Sequence, residues 1–207
     1  RNGGLMRTVF PVLLLVLAIP IFYLLNESYL VAELNKETIE IPPRLSDEFR
    51  AEDLRIAVVG DLHISDDLSS YSGLTSLLKE ILISEPDLIF LLGDYTSSPA
   101  FVSDMGAHRM NIADRLSVLT VVPVFAVMGN YETISLGESW REVLSAVGIN
   151  VLHNQNAQLE IRDQRLCIRG LGDAFTKQLR FIGFPPSCED ATKLTITHDP
   201  AGAFEAG

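Results

Sequence analysis

Five polar residues in this chain carry chemistry that could be assembled into one ligand site. Asp61 and His63 lie two apart in Gly60-Asp61-Leu62-His63, Asp94 follows Gly93, Asn130 follows Gly129, and His198 follows Thr197. Carboxylate and amide oxygens together with imidazole nitrogens suit hard or borderline divalent ions. Taken singly, each residue has an ordinary explanation, because Gly-Asp is a common turn dipeptide and an Asp or Asn after a strand usually caps a helix. Taken together they define a different expectation. If four strand ends deliver all five side chains into one crevice, the Asp94 carboxylate can bridge two ions about 3.5 to 4 Å apart, the spacing used by two-metal phosphoester hydrolases.

The elements needed for that delivery are visible in the hydrophobic pattern. Three almost uninterrupted apolar runs, 55–59, 88–92 and 124–128, each end in Gly plus a polar residue, as expected of strands covered on both faces. Leu74, Leu77, Leu78, Ile81 and Leu82 fall on one helical face, stopped by Pro86. Helical stretches are also expected over 106–119 and 138–147, the latter closed by Gly148. The order β-α-β-α-β-α makes an α/β domain. After Gly148 the pattern changes to short strands at 150–153, 158–162, 165–169 and 194–197, with a short helix expected over 175–180. In open α/β sheets ligands gather at the carboxyl ends of the strands, where the five polar residues stand.

The strings GDLH at 60–63, GDY at 93–95, GNYE at 129–132 and THDP at 197–200 resemble the motifs of the calcineurin-like metallophosphoesterases, over about residues 54–200. The likeness is strongest in type to exported or membrane-anchored bacterial phosphodiesterases. It implies a four-layer α/β/β/α sandwich, of which this chain would hold part. It further implies that Asp61 and His63 bind a first ion, Asp94 bridges, and Asn130 and His198 bind a second, the ions being Mn, Fe or Zn. Asn130 and Tyr131 then become the candidate catalytic residues.

Two departures from the family pattern stand out. Where the family usually has G-N-H plus an acid, with the His donating a proton or touching phosphate, this chain has Tyr131. A tyrosine can hydrogen-bond a phosphate oxygen, but with an ordinary pKa near ~10 it is the poorer acid at neutral pH. The family's last motif, G-H-x-H, is absent after His198. The expectation is a chain cut short before that motif, with three side chains for the first ion, weak metal affinity and low activity. His108 and His153, unpaired in sequence, read as core or surface residues. Glu132 reads as a loop support, Asp173 as a helix cap, and Tyr95 as packing.

The chain has 207 residues, 16 basic and 27 acidic side chains, a net charge of −11 and a mean hydropathy of +0.24. With no basic excess to displace counterions from phosphates, nucleic acid is not an expected partner. The hydropathy is concentrated in Thr8–Leu25, eighteen uncharged residues, about enough to cross a ~30 Å hydrocarbon core. Residues 1–26 are therefore expected to be an uncleaved membrane anchor, 27–53 a tether, and 54–207 the α/β domain. Arg1 and Arg7 precede the apolar run, while Glu27, Glu33, Glu37 and Glu40 follow it with only Lys36 among them, which places the N-terminus in the cytoplasm and the domain outside. A cleaved signal peptide is the rival, lacking an A-x-A-like site, and a buried helix the third reading, disfavoured by Pro11 and Pro20. Cys167 and Cys188 could form one disulfide or remain two buried thiols.

The activity expected is hydrolysis of phosphodiester or pyrophosphate bonds by a hydroxide activated between two ions, with lipid-linked phosphoesters within reach of an anchored site. The alternative is a catalytically degenerate anchored binding or scaffold protein, supported by Tyr131 and the absent final motif. A nucleotide-binding module fits less well, since neither G-x-x-x-x-G-K-[ST] nor G-x-G-x-x-G occurs.

Overall fold

The computed structural model describes Glu37 and residues 53–135 and 137–205. The chain divides into two compact units, Arg1–Lys36 and Glu37–Gly207, and all the described residues belong to the second. The expected anchor at 1–26 and nearly all of the tether lie outside the described residues. Among the described residues no helix is long and apolar enough to cross a membrane.

Four parallel strands form the first sheet in the order β1 (Ile56–Val59), β2 (Leu88–Leu91), β3 (Val124–Ala126), β4 (Asn150–Val151). Right-handed crossovers between neighbouring parallel strands put every connecting helix on one face. These helices are α1 (Leu68–Ile83), α2 (Met105–Leu116) and α4 (Gly137–Ala146), with the short α3 (Asn130–Ile134) just before α4. The two-residue periodicity of β2 divides its apolar run between two cores. Ile89 and Leu91 join Leu74, Leu78, Ile112, Leu116, Trp140 and Leu144 beneath the helices. Leu88 and Phe90 face the other way, against Leu166, Ile168 and Ile196 of the second sheet.

The helix ends follow from capping chemistry. The Asp67 carboxylate accepts from Ser70 N at 2.9 Å at the start of α1, and the Asp104 carboxylate accepts from Ala107 N at 3.0 Å at the start of α2. Gly148, at φ 91°, takes the left-handed conformation that ends the turn after α4.

The second sheet is a hairpin of β5 (Gln155–Ile161) and β6 (Gln164–Gly170) with β7 (Thr192–Ile196) running parallel to β6. Arg162 and Asp163 both have positive φ, 47° and 61°, the geometry of a two-residue hairpin turn. The outer face of this sheet carries the Cys167–Cys188 disulfide, packed with Ala191 and Phe184. Of the two readings left open for these cysteines, the paired one holds. A crosslink spanning 21 residues contributes about 3 kcal/mol by restricting the unfolded chain.

The structure corrects one expected element. Residues 175–180 form turns and coil rather than a helix. The Asp173 carboxylate does accept from Thr176 N at 2.7 Å and Thr176 Oγ1 at 2.6 Å, as a cap would. Lys177 then turns left-handed at φ 61°, and the Asn154 side chain takes the Gln178 carbonyl and the Arg180 N–H, so no helical ladder propagates. The segment from Phe184 to Ala191, with its 3₁₀ turn (Pro186–Cys188), packs on the outer side of the second sheet around the disulfide. Three layers, α/β/β, are described, part of the four-layer sandwich that the resemblance implies.

Candidate metal centre

Each ligand-bearing strand end breaks out of regular structure at the residue that matters. Asp61, His63 and Asp94 adopt left-handed backbone at φ 52°, 44° and 51°, conformations of non-glycine residues that the surroundings must hold in place. Here the holding groups are explicit. Asp61 N donates to Gly93 O at 3.0 Å, His63 N to Asp94 O at 2.9 Å, and Ile64 N to Tyr95 O at 2.9 Å. The β1–β2 ladder, which ends at Val59↔Leu91, resumes at the isolated bridge Ile64↔Thr96. The two ligand segments are thus pinned to each other before and after the ligands.

Asp94 is the buried member, 3% exposed. Its Oδ1 accepts from Tyr131 N at 3.0 Å, whereas Oδ2 stands 3.8 Å from His63 Nε2 and 3.6 Å from His198 Nε2. One oxygen therefore faces both imidazoles. His63 Nε2 is also 3.6 Å from Asp61 Oδ1. Burial pushes the Asp94 carboxyl above its ordinary range, opposed by the Tyr131 N–H and by the neighbouring His198 and His63. Ligand atoms of Asp61, Asp94 and His198 all lie within 4.8 Å of one another.

His198 is oriented from behind. Its Nδ1 lies 2.9 Å from the carbonyl oxygen of Leu92, which can only accept, so Nδ1 carries a proton and, in the neutral imidazole, Nε2 presents a lone pair. That lone pair faces Asn130 Oδ1 at 3.3 Å and Asp94 Oδ2 at 3.6 Å, two further acceptors. In that form three acceptors converge, an arrangement that a cation satisfies. Two ligand atoms each about 2.1 Å from a shared ion stand about 3.0 to 3.4 Å apart at angles of 90° to 109°, so the 3.3 and 3.6 Å separations about His198 Nε2 lie within a few tenths of an ångström of what an ion needs. The donor set fits divalent metal.

Behind Asp94 lies Glu132, fully buried in α3. One carboxylate oxygen accepts from Asp94 N at 2.7 Å and Gly129 N at 3.1 Å, the other from Tyr95 N at 2.8 Å and Thr96 N at 3.2 Å. The turned backbone at Gly93 and Asp94 aims three successive N–H groups at this one carboxylate. Burial pushes its carboxyl up to about 7 even against those donors. The Tyr131 ring packs edge-on against His63, with centroids 5.1 Å apart. Tyr95 is buried and donates its hydroxyl to Val127 O at 2.6 Å, so it packs rather than lining the site.

Gly129 has no room for a side chain: a Cβ there would sit 2.1 Å from Asp94 Oδ1. Gly129→Ala is expected to push the Asp94 carboxylate off its place and to lower metal affinity by at least about tenfold, more than its effect on the thermal midpoint would suggest. Titration of the folded variant with Mn²⁺ checks this.

The structure thus brings Asp61, His63, Asp94, Asn130 and His198 to one end of the first sheet, with Tyr131 beside them. A family model described as "Calcineurin-like phosphoesterase" matches residues 54–195. The chain belongs to the calcineurin-like phosphoesterase family. A "Transmembrane protein with metallophosphoesterase domain" from Danio rerio is 25% identical over 154 residues, covering 71% of this chain. The chain spans 33% of that protein. Among solved structures, a 5'-nucleotidase precursor from Thermus thermophilus is 14% identical with a TM-score of 0.41, covering 57% of this chain and 28% of its own. The Haemophilus influenzae NAD nucleotidase is 13% identical with a TM-score of 0.43, covering 68% of this chain and 28% of its own. Such distant overlaps add nothing to the family assignment, which rests on the family match.

Two contributions to the candidate site are not legible in the sequence. Leu92 acts through its carbonyl, which no residue type reveals. Glu132 reads in sequence as a loop support, but not as the acceptor of four buried N–H groups. An acid three residues after the Gly that opens a short helix is the available sign.

Proposed function

We propose that this chain is a metal-dependent phosphoesterase acting on phosphodiester or pyrophosphate bonds through a two-ion centre. Asp61 and His63 would hold one ion, Asn130 and His198 the other, and Asp94 Oδ2 both. The observation that carries the reading is the convergence of His198 Nε2, Asn130 Oδ1 and Asp94 Oδ2, three potential ligand atoms on one point, with His198 oriented by the Leu92 carbonyl. Ions bound there would supply Lewis-acid polarisation of the phosphoryl group and acidification of a water. The chain's own groups orient that chemistry: Leu92 O fixes the His198 tautomer, Tyr131 N–H holds Asp94 Oδ1 away so that Oδ2 faces the imidazoles, and Glu132 fixes the turn that carries Asp94.

Tyr131 takes the sequence position of the family's third-motif His, and its ring packs against His63, which supports a role as proton donor or phosphate contact. If its hydroxyl assists the departing group, Tyr131→Phe lowers turnover at least about tenfold on an alkyl phosphodiester but leaves a 4-nitrophenyl ester nearly unchanged, because that leaving group needs no proton. Equal effects on both substrates would assign Tyr131 to packing against His63.

The membrane reading belongs here too. The apolar Thr8–Leu25 run supports a single-pass anchor with the N-terminus cytoplasmic and the domain outside, and the Danio rerio relative is named a transmembrane protein. An anchored site would meet lipid-linked phosphoesters. Hydrolysis of a chromogenic phosphodiester by the full chain in detergent, first stripped by chelator and then resupplied with Mn²⁺, tests the activity. A rate that appears only with Mn²⁺ supports the enzyme; Mn²⁺ binding with no hydrolysis of any phosphoester would favour the anchored scaffold.

A further inference from the structure

His108 lies in α2, outside the five candidate ligands, and is 1% exposed. Its ring is fully engaged. Nε2 lies 3.1 Å from Ile64 O and 3.2 Å from Thr96 Oγ1, while Nδ1 is 2.6 Å from the Tyr71 hydroxyl. Ile64 O can only accept, so Nε2 carries a proton; burial favours the neutral ring, which leaves Nδ1 to accept the Tyr71 O–H at 2.6 Å in preference to the longer 3.3 Å path to Asp66 Oδ1. Thr96 Oγ1 spends its own proton on Ser97 O at 3.0 Å, which leaves it an acceptor for the same imidazole N–H. Asp66 Oδ1, 3.3 Å from the Tyr71 oxygen, and Ser103, which donates to Asp66 Oδ2 at 2.5 Å, complete the outer end of the network.

The two groups that His108 clasps are not arbitrary. Ile64 directly follows His63, and Thr96 lies two residues after Asp94. They are the pair that forms the isolated bridge Ile64↔Thr96, where the two ligand-bearing segments rejoin. A neutral imidazole N–H shared between them ties the Asp61–His63 turn to the Asp94 turn from the core side, while α2 supplies a rigid mount.

We propose that His108 is a positioning residue of the metal centre: by bridging Ile64 O and Thr96 Oγ1, it sets the separation of the Asp61/His63 segment from Asp94, with Tyr71 fixing the tautomer that allows the bridge. The proposal rests on the two-ion reading above. Groups that orient ligand-bearing segments in this way change metal affinity by about 10- to 100-fold when lost.

The test compares His108→Leu, which fills the space without polar groups, with His108→Gln, whose NH₂ can donate toward Ile64 O and Thr96 Oγ1 while its oxygen accepts from Tyr71, and with Tyr71→Phe. Mn²⁺ affinity of the full chain in detergent is read by electron paramagnetic resonance, and the imidazole ¹⁵N shifts of metal-free protein report the tautomer. Leu is expected to weaken Mn²⁺ binding by about 10- to 100-fold, and Gln to restore it to within about threefold. Tyr71→Phe is expected to mix the His108 tautomers and weaken binding by a few-fold, which decides the matter should the Leu variant not fold. A purely structural role would lower thermal stability without altering the affinity of the folded protein, and that result overturns the proposal. So would a wild-type protein with the proton on Nδ1, or a Gln variant as weak as the Leu variant. Wild-type protein that binds no Mn²⁺ removes the two-ion reading and this proposal with it, whereas normal binding in all three variants removes this proposal alone.

Discussion

Replacing Asp94 with Asn is expected to leave the domain folded and to lower metal-dependent phosphodiester turnover by about a thousandfold, or ~4 kcal/mol of transition-state stabilisation. The substitution keeps what the fold needs. Asn tolerates the left-handed backbone that Asp94 adopts at φ 51°, its volume matches, and its amide oxygen can still accept from Tyr131 N as Oδ1 does now. What it removes is the negative charge and the Oδ2 lone pairs facing His63 Nε2 and His198 Nε2. In their place stands an amide N–H₂, which repels a cation. Unchanged turnover in a folded variant would show that Asp94 is not the bridge.

Glu132→Ala is expected to abolish stable folding of the domain rather than to act on chemistry. Four buried N–H groups, of Asp94, Tyr95, Thr96 and Gly129, lose their only acceptor. At roughly 1 kcal/mol or more for each orphaned donor, the loss is at least about 4 kcal/mol, a large part of the 5 to 15 kcal/mol typical of a domain. Glu132→Gln separates charge from hydrogen bonding. Its one carbonyl oxygen can serve two of the four donors, while its N–H₂ meets the other two donor to donor, so an intermediate loss of about 2 kcal/mol is expected. Denaturant unfolding of both variants, followed by the fluorescence of the buried Trp140, checks the order. A wild-type midpoint for Glu132→Ala would contradict the role assigned to this carboxylate.

These two carboxylates differ in how far a sequence can reveal them. Asp94 is legible because it ends an apolar strand, next to a Gly, in a chain that does the same thing at Asp61 and Asn130. Strand ends of one parallel sheet converge by topology, so residue type and position suffice. The first sheet and its helices are legible for the same reason, since the core-facing periodicity of α1 and the doubly buried β2 follow directly from apolar spacing. What is not legible depends on backbone geometry or on distant partners. The left-handed turns at Asp61, His63 and Asp94 are held by bonds between two segments some thirty residues apart, and no local rule anticipates them. His108 reads in sequence as core or surface, and its clasp on Ile64 and Thr96 depends on how α2 packs. The loop at 175–180 misleads because its composition permits a helix, while Asn154, far upstream, captures the groups a helix would use. The Cys167–Cys188 pairing likewise requires knowing that β6 and the segment before β7 lie side by side.

In the proposed centre five side chains, Asp94 bridging among them, hold two ions. The most direct measurement is Mn²⁺ titration of the metal-stripped full chain, monitored by electron paramagnetic resonance, with Asp94→Asn in parallel. At Mn²⁺ concentrations high enough to saturate a weakly held first ion, two Mn²⁺ per wild-type chain are expected, with the exchange-coupled spectrum of ions about 3.5 to 4 Å apart, and loss of that coupling in the variant. Uncoupled or absent Mn²⁺ in the wild type, or a coupled pair that survives in Asp94→Asn, would contradict it.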